Sequence, residues 1–142
     1  MRGALLTLVP LFSSGCALWM PAPDPTQAWV DLRPAEGTRL EALAVDDKAL
    51  ADDRYFQVAP GARALEMRYR FEVSADNVGG PDGLPRDCRL RVEYGGFGAG
   101  QRYRLEAGGH GFRPWAKLYD AEDRLLARAR EQGCGATLAG VD

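Results

Sequence analysis

The clearest pattern in the chain is a strict alternation of apolar and charged residues. From Leu65 to Val73 every second residue is apolar and each residue between is charged. The same alternation occurs from Cys88 to Tyr94 and from Tyr103 to Ala107. A period of two is typical of a β-strand with one buried face and one solvent-exposed face. Three such strands with charged outer faces are therefore predicted.

Shorter apolar segments bounded by Gly, Pro or Asp predict further strands. They are Ala28 to Arg33, Leu40 to Val45, Tyr55 to Val58, Trp115 to Tyr119 and Leu125 to Arg130. The last could instead belong to a short helix from Asp123 to Gln132, because Leu and Ala are good helix formers and Gly133 would end it. The turn-like residues from Tyr119 to Arg124 favour the strand.

Glycine-rich and proline-rich segments separate these strands. Gly95 to Gly100 lies between two alternating segments and predicts a flexible hairpin loop, and Ala75 to Arg86 predicts a long exposed loop. Short strands at such spacing predict an all-β fold, an antiparallel two-layer β-sandwich of about seven to eight strands. We expect an immunoglobulin-like or transthyretin-like arrangement, with a possible short C-terminal helix.

Composition narrows the class of protein. The chain has 142 residues, enough for one domain, and 46% apolar with 27% charged residues is ordinary for a globular protein. Its net charge is −2 and the two signs are interleaved along the chain. Nucleic-acid binding is not predicted, because it needs a basic face.

The N-terminus has the layout of a secretory signal peptide. Arg2 precedes an apolar run from Ala4 to Phe12, which is too short to span a bilayer that needs roughly 20 residues. Ser14-Gly15-Cys16 then resembles the lipobox of bacterial lipoproteins. The resemblance implies a cleaved signal peptide (1–15), lipidation at Cys16, a proline-rich tether (16–27) and a domain spanning 28–142. Ordinary cleavage after Ala17, giving a soluble periplasmic protein, is the alternative.

The lipobox resemblance also implies a location. The residue after the cysteine is Ala17 and not an Asp that would resemble an inner-membrane retention signal. We therefore expect an outer-membrane lipoprotein with palmitate on its N-terminus, facing the periplasm. The predicted partner is the membrane, to which the N-terminal lipid would attach the protein.

The two remaining cysteines predict a disulfide. Cys88 and Cys134 form an even pair for an oxidising compartment, with two free thiols as the alternative. Cys88 is in phase with the buried residues of its strand, so we expect the bond to cross the core. Two cysteines and the single His110 do not make a metal site. No metal and no cofactor are predicted.

The body of the chain carries a second resemblance. Val45-Asp46-Asp47-Lys48-Ala49-Leu50, followed by Tyr55-Phe56-Gln57-Val58-Ala59-Pro60-Gly61 and a long alternating strand, is similar to the turns of PEGA-like and DUF2846-like envelope modules. Gly100 to Leu105 and Ala116 to Asp120 are similar to their later strands. The resemblance implies a β-sandwich in a bacterial lipoprotein with a non-enzymatic role.

Candidate chemistry is sparse. His110 has no recognisable nucleophile motif, so no catalytic residues and no enzyme are predicted. The acidic pairs Asp46-Asp47 and Asp52-Asp53 lack the spacing of an EF-hand and favour solvated turns over a weak cation site. His110, Phe112 and Trp115 are the candidates for a loop-built surface site.

These observations favour a non-catalytic binding or structural module of the Gram-negative envelope. Its partner would be an envelope protein or a glycan. The alternative is a periplasmic inhibitor of a lysozyme or similar hydrolase, because Gly98 to Tyr103 is similar to a loop of the periplasmic lysozyme inhibitors.

Overall fold

The computed structural model describes residues 19–74 and 83–135. The predicted signal peptide and Cys16 lie outside these residues, as do 75–82 and 136–142. In the described part, no helix is long and apolar enough to cross a membrane.

Ten strands make up the described domain and form two sheets. The strands are β1 (Ala28–Pro34), β2 (Arg39–Val45), β3 (Lys48–Ala49), β4 (Tyr55–Val58), β5 (Gly61–Val73), β6 (Leu84–Phe97), β7 (Arg102–His110), β8 (Arg113–Asp120), β9 (Leu125–Arg128) and β10 (Arg130–Gly135). The first sheet has the order β4-β1-β7-β8-β9, and the second has the order β10-β6-β5-β2-β3. Each sheet therefore has five strands.

The alternating apolar residues face each other between the two sheets. The largest fully buried side chains come from both sheets and include Phe56, Leu65, Tyr69, Leu90, Leu105 and Leu118. Burying each such side chain stabilises the fold by about 1.5–3 kcal/mol. The predicted outward positions carry the charged residues, because a charge in this core would lose its hydration without a partner.

The predicted fold class is confirmed. The described chain is all-β, with two layers and no helix, and eight predicted strands each overlap an observed one. The two additional strands are β3 and β10. All neighbouring strands are antiparallel except β1 and β7, which run parallel from Trp29 opposite Arg102 to Pro34 opposite Ala107.

The C-terminal segment differs from both sequence-based alternatives. It is not a helix, and the single strand predicted from Leu125 to Arg130 is divided at Ala129. Ala129 makes the last backbone bond to β8, donating its N–H to the Ala116 carbonyl at 2.9 Å. From Arg130 the chain pairs with β6 in the other sheet. A strand that changes sheets in this way closes the corner of a sandwich.

The hairpin predicted between the second and third alternating strands is wrong. β6 continues to Phe97 and lies in the second sheet, whereas β7 lies in the first. Their connection therefore passes from one sheet to the other. Phe97 and Tyr103 pack edge to face across this connection with ring centroids 5.1 Å apart. The Tyr103 hydroxyl accepts a hydrogen bond from Gly98 N at 2.9 Å. The glycine-rich segment is thus held by an aromatic cluster.

The C-terminal residues of the segment predicted as a long loop, 84–86, belong to strand β6. Leu84 opposes Val73 in the register of β5 and β6, which makes Pro85 and Arg86 part of β6. Alternation could not reveal this extension, because the proline interrupts the pattern before Cys88.

Cys88 and Cys134 form the predicted disulfide. Their Sγ atoms are 2.12 Å apart. The two residues oppose each other in the register of β6 and β10. The bond therefore joins neighbouring strands of one sheet, and the expectation that it crosses the core is wrong. The reason is that the last strand joins the sheet containing Cys88.

Candidate binding surface

The two ends of the sandwich differ in what they carry. Residues 19–27, which we call the entry segment, reach the domain where Gly100 N donates to the Gln27 carbonyl at 2.8 Å. Asp24 N also donates to Gln57 Oε1 at 2.9 Å, fastening this segment to β4. We call this the entry end. β7 starts here and its nine residues extend about 26 Å to the opposite end.

The opposite end, which we call the hairpin end, carries the turn between β7 and β8. His110 opposes Arg113, leaving a two-residue turn of Gly111 and Phe112. Gly111 has φ of +60°, the conformation that the first central residue of a type II′ turn requires. Phe112 is exposed at the tip. The sequence therefore forms a tight, strand-supported projection.

Trp115 forms a platform on the outer face of this hairpin. It opposes Gly108, and a Cβ at Gly108 would come within 2.5 Å of the indole. The ring therefore lies against the main chain of β7, in a space that only glycine leaves free. Trp115 nevertheless remains 38% exposed. One part of the ring is thus supported by the strand while another faces solvent.

Other aromatic rings on the same face are covered. Trp29 is only 3% exposed and stacks on Tyr55 with centroids 4.3 Å apart. The Arg104 guanidinium lies over Tyr119 at 4.5 Å from the ring centroid. Trp115 is therefore the most exposed aromatic ring on the strands of this face, although the Lys117 ammonium lies over it.

Positive charge surrounds the Trp115 platform. Lys117 Nζ lies 5.2 Å from the indole centroid, a cation–π distance. Arg113 and Lys117 share the outer side of β8 with Trp115, and the register places Arg128 beside Lys117. Arg33 opposes Glu106 from β1. We refer to Arg33, Arg113, Lys117 and Arg128 together with Trp115 as the platform surface.

Arg113, Lys117 and Arg128 form no ion pair with a carboxylate within the described residues, whereas Arg33 interacts electrostatically with Asp31 on its own strand. The one carboxylate of this row, Glu106, instead accepts from Arg104 Nε at 3.0 Å. Arg104 also pairs with Asp123. Arg113, Lys117 and Arg128 thus lie free of ion pairs on the strands that carry and flank the exposed indole, an arrangement suited to an anion with an apolar face.

The outer face of the second sheet has the opposite organisation. Glu41 is 8% exposed and pairs with both Arg39 and Arg70 at 2.6 Å. Arg68 pairs with Asp87, whose pKa is held below its usual range by the hydrogen bonds from that guanidinium. Each of these arginines is ion-paired within its own sheet, with Arg39 and Arg70 sharing the single Glu41 carboxylate.

Arg91 extends the same ladder of ion pairs. Its guanidinium contacts Glu66 and Asp47 at 2.9 Å and Glu93 at 3.2 Å. The three carboxylates raise the pKa of the guanidinium. Arg91 therefore stays charged and holds three parts of the sheet together.

The acidic pairs predicted as solvated turns are engaged by the protein itself. Asp46 and Asp47 have positive φ, as a type I′ turn between β2 and β3 requires. Asp46 Oδ1 accepts from Ala64 N at 2.9 Å, and Asp52 pairs with Arg54 at 2.7 Å. Among the described residues, no cluster of His, Cys, Asp and Glu has metal-binding geometry.

A recess of about 320 Å³ lies between the sheets at the hairpin end. It is lined by Thr38, Tyr69, Phe71, Gly109 and Gly111, among others. Tyr69 is fully buried, and burial raises the pKa of its phenol. Thr38 lies close to this phenol without forming a hydrogen bond to it, and its own hydroxyl donates to the Ala35 carbonyl at 2.6 Å. The Tyr69 hydroxyl is therefore neutral at neutral pH.

The structure brings all three predicted surface residues into one hairpin. His110 and Trp115 lie on its outer side, Phe112 lies at its tip, and all three are exposed. The lipidation residue Cys16 lies outside the described residues, so that prediction stays untested.

Sequence reasoning missed the four cations of the platform surface. Arg33 and Arg128 come from strands far apart in the chain. They lie on the same sheet face as Trp115 only because of strand pairing. Arg113 and Lys117 alternate with the predicted Trp115 along β8 and could have been found from that alternation alone.

No family model, no curated protein and no solved structure matches this chain. The class of protein is therefore defined by its own architecture, a disulfide-bonded β-sandwich with a cationic aromatic surface at one end.

Proposed function

We propose that this protein is a lipid-anchored envelope protein whose β-sandwich binds a protein or glycan without catalysing a reaction. The observation that carries the proposal is the placement of the platform surface. It begins at the hairpin end, about 26 Å along β7 from the point where the entry segment joins the domain. A tether on Cys16 would then hold the platform surface toward the periplasm.

The entry segment supports the anchoring part of this proposal. Three prolines, Pro21, Pro23 and Pro25, precede the turn that leads into β1. Proline favours extended chain and lacks the N–H that a helix needs, so this segment suits a spacer. The lipobox-like Ser14-Gly15-Cys16 would supply the membrane attachment.

The environment of His110 supports binding over catalysis. Its partner across the hairpin is Arg113, a permanent cation that can neither take up a proton nor orient the imidazole as a carboxylate does. An anion could accept hydrogen bonds from both side chains. The pair is therefore better suited to holding a ligand than to general base chemistry.

Anchoring is tested by membrane fractionation and intact-protein mass spectrometry. We expect the wild-type chain to begin at a triacylated Cys16 and to sediment with outer membranes. Cys16→Ser should appear in the soluble fraction with an unlipidated N-terminus. Wild-type protein that starts near Leu18 without lipid would contradict anchoring and favour a soluble periplasmic protein.

Binding through the platform surface is tested by photocrosslinking in intact cells. A photoreactive residue replacing Trp115 should give discrete crosslinked species. The same residue replacing Lys48, an exposed position in β3 on the other sheet, is the matched control and should give none. Equal crosslinking from both positions would contradict a specific surface at the hairpin end.

A further inference from the structure

We propose that the platform surface is a subsite for an acidic carbohydrate. The apolar face of a sugar ring would stack on Trp115, and its carboxylate or phosphate would pair with the surrounding cations. The inference rests on the proposed binding function and adds the chemical class of the ligand.

The shape of the platform fits a sugar ring. The indole of Trp115 packs against the main chain at Gly108, which supports the ring and keeps it at the surface of the sheet. A pyranose presents carbon-bound hydrogens on one face and hydroxyls around its edge, and an aromatic ring contacts such a face without losing hydrogen bonds. The exposed part of Trp115 offers such a contact.

The charge around the platform selects an anion. Lys117 Nζ is 5.2 Å from the centroid of the Trp115 indole. Arg113 precedes Trp115 by two residues and lies on the same side of β8. Neither Lys117 nor Arg113 is ion-paired within the described chain. Glu106, the carboxylate that opposes Lys117, forms its ion pair with Arg104 instead. A neutral sugar would use only the ring, whereas a uronate or sugar phosphate would use the cations as well.

The position of the platform surface favours a carbohydrate over an added peptide strand or the lipids of the protein's own membrane. Its residues lie on the outer face of β1, β8 and β9. Although β9 is an edge strand, the site is formed by side chains of the face and not by the backbone edge that an added peptide strand would need. The entry segment joins the opposite end, so a lipid tether would direct the platform away from its own membrane. Strand residues are already ordered, which lowers the entropic cost of binding.

The first test compares two probes that differ only in charge. Full-length mature protein is titrated with oligogalacturonate and with the same oligomer fully methyl-esterified, using isothermal calorimetry at low salt. We expect measurable binding of the acid, at least roughly tenfold weaker binding of the ester, and weakening of the acid as salt rises.

Variants locate the binding. Trp115→Ala and Lys117→Gln should each weaken oligogalacturonate binding, the first by roughly tenfold or more because it removes the stacking surface. Lys48→Gln removes the other lysine of the chain, far from the platform, and should leave binding unchanged. Thermal unfolding of each variant checks that the fold is intact.

The outcomes separate this inference from the proposed function. Equal binding of acid and ester would overturn the acidic ligand, as would stronger binding to phosphatidylglycerol vesicles than to oligogalacturonate. Unchanged binding in Trp115→Ala would overturn the site. Failure of every glycan probe would overturn the carbohydrate inference, while crosslinks at position 115 in cells would still support a protein-binding module.

Discussion

The two sheets of this domain expose faces that differ in charge balance and in how the charges are paired. On the second sheet each arginine of the β2–β5 ladder meets an acid, and Glu41 is buried between Arg39 and Arg70. On the first sheet the cations near the hairpin end lack acidic partners among the described residues, and Trp115 is exposed beside them. The charged side chains of the second sheet are thus held mainly by contacts within the domain, whereas those near Trp115 are not.

The difference arises from charge content and register together, because the outward residues of the first sheet include more cations than carboxylates. Glu106 lies in the middle of the first sheet, where Arg33 and Lys117 oppose it from either side. Its carboxylate pairs with Arg104, which precedes it on the same strand. Lys117 is thereby left without an ion pair, and Arg33 retains only its electrostatic interaction with Asp31. On the second sheet, by contrast, Arg91 finds three acids within 3.2 Å.

The largest effect should come from the disulfide of the second sheet. Replacing both Cys88 and Cys134 by Ala opens a cross-link that spans 46 residues. The chain-entropy model predicts a loss of about 4 kcal/mol in the free energy of unfolding. Urea denaturation of the mature protein in oxidising buffer measures this loss. An unchanged urea midpoint would show that the disulfide between β6 and β10 does not stabilise the domain.

The next effect compares matched glutamates on the two faces. Glu41→Gln leaves Arg39 and Arg70 facing each other without the buried carboxylate, and we expect a loss of about 1–3 kcal/mol. Glu106→Gln removes a more exposed acid and should cost less than about 1 kcal/mol. Urea denaturation of the two variants provides the measurement. Equal losses would contradict an energetic difference between the faces.

A smaller effect concerns acid stability. The Arg68 guanidinium lowers the pKa of Asp87 below its ordinary value of 3.8, so the unfolded chain takes up this proton first as the pH falls. The contribution of the pair is present above about pH 4 and is lost as the pH falls through the lower pKa of the folded state.

We therefore expect Asp87→Asn to lower stability at pH 7 by about 1 kcal/mol and to flatten the acid limb of the stability curve. Thermal unfolding between pH 2 and pH 7 would detect both changes. Asp53→Asn, at an exposed position before β4, is the control. A parallel acid limb in wild type and Asp87→Asn would refute the assignment.

The smallest effect tests the free charge of the platform surface. In a Trp19→Phe background, which removes a tryptophan that is 82% exposed, Trp115 dominates quenching because Trp29 is buried. With each quenching constant divided by that of free tryptophan amide, iodide should be roughly twofold more effective than caesium at low salt, since the cations concentrate anions. Arg113→Gln should reduce the difference. Equal quenching by both ions would argue against an electropositive platform.

Local pattern was sufficient for much of the fold. Alternation from Leu65 to Val73 located the centre of β5, and the disulfide partners followed from cysteine number. His110, Phe112 and Trp115 could be chosen because they cluster near a glycine turn. The platform cations Arg33 and Arg128 could not, because nothing in their own segments relates them to Trp115.

Which residues turn inward and which turn outward follows from the amino-acid pattern, because a β-strand has a period of two and burial of apolar side chains is favourable. Which strands are neighbours does not follow from that pattern and is seen in the folded domain. There, β6 and β7 lie in different sheets, the last segment is divided at Ala129, Trp29 is covered and Trp115 is left open. The physical reason is that alternation assigns a residue to a face, whereas strand order and register assign its neighbours.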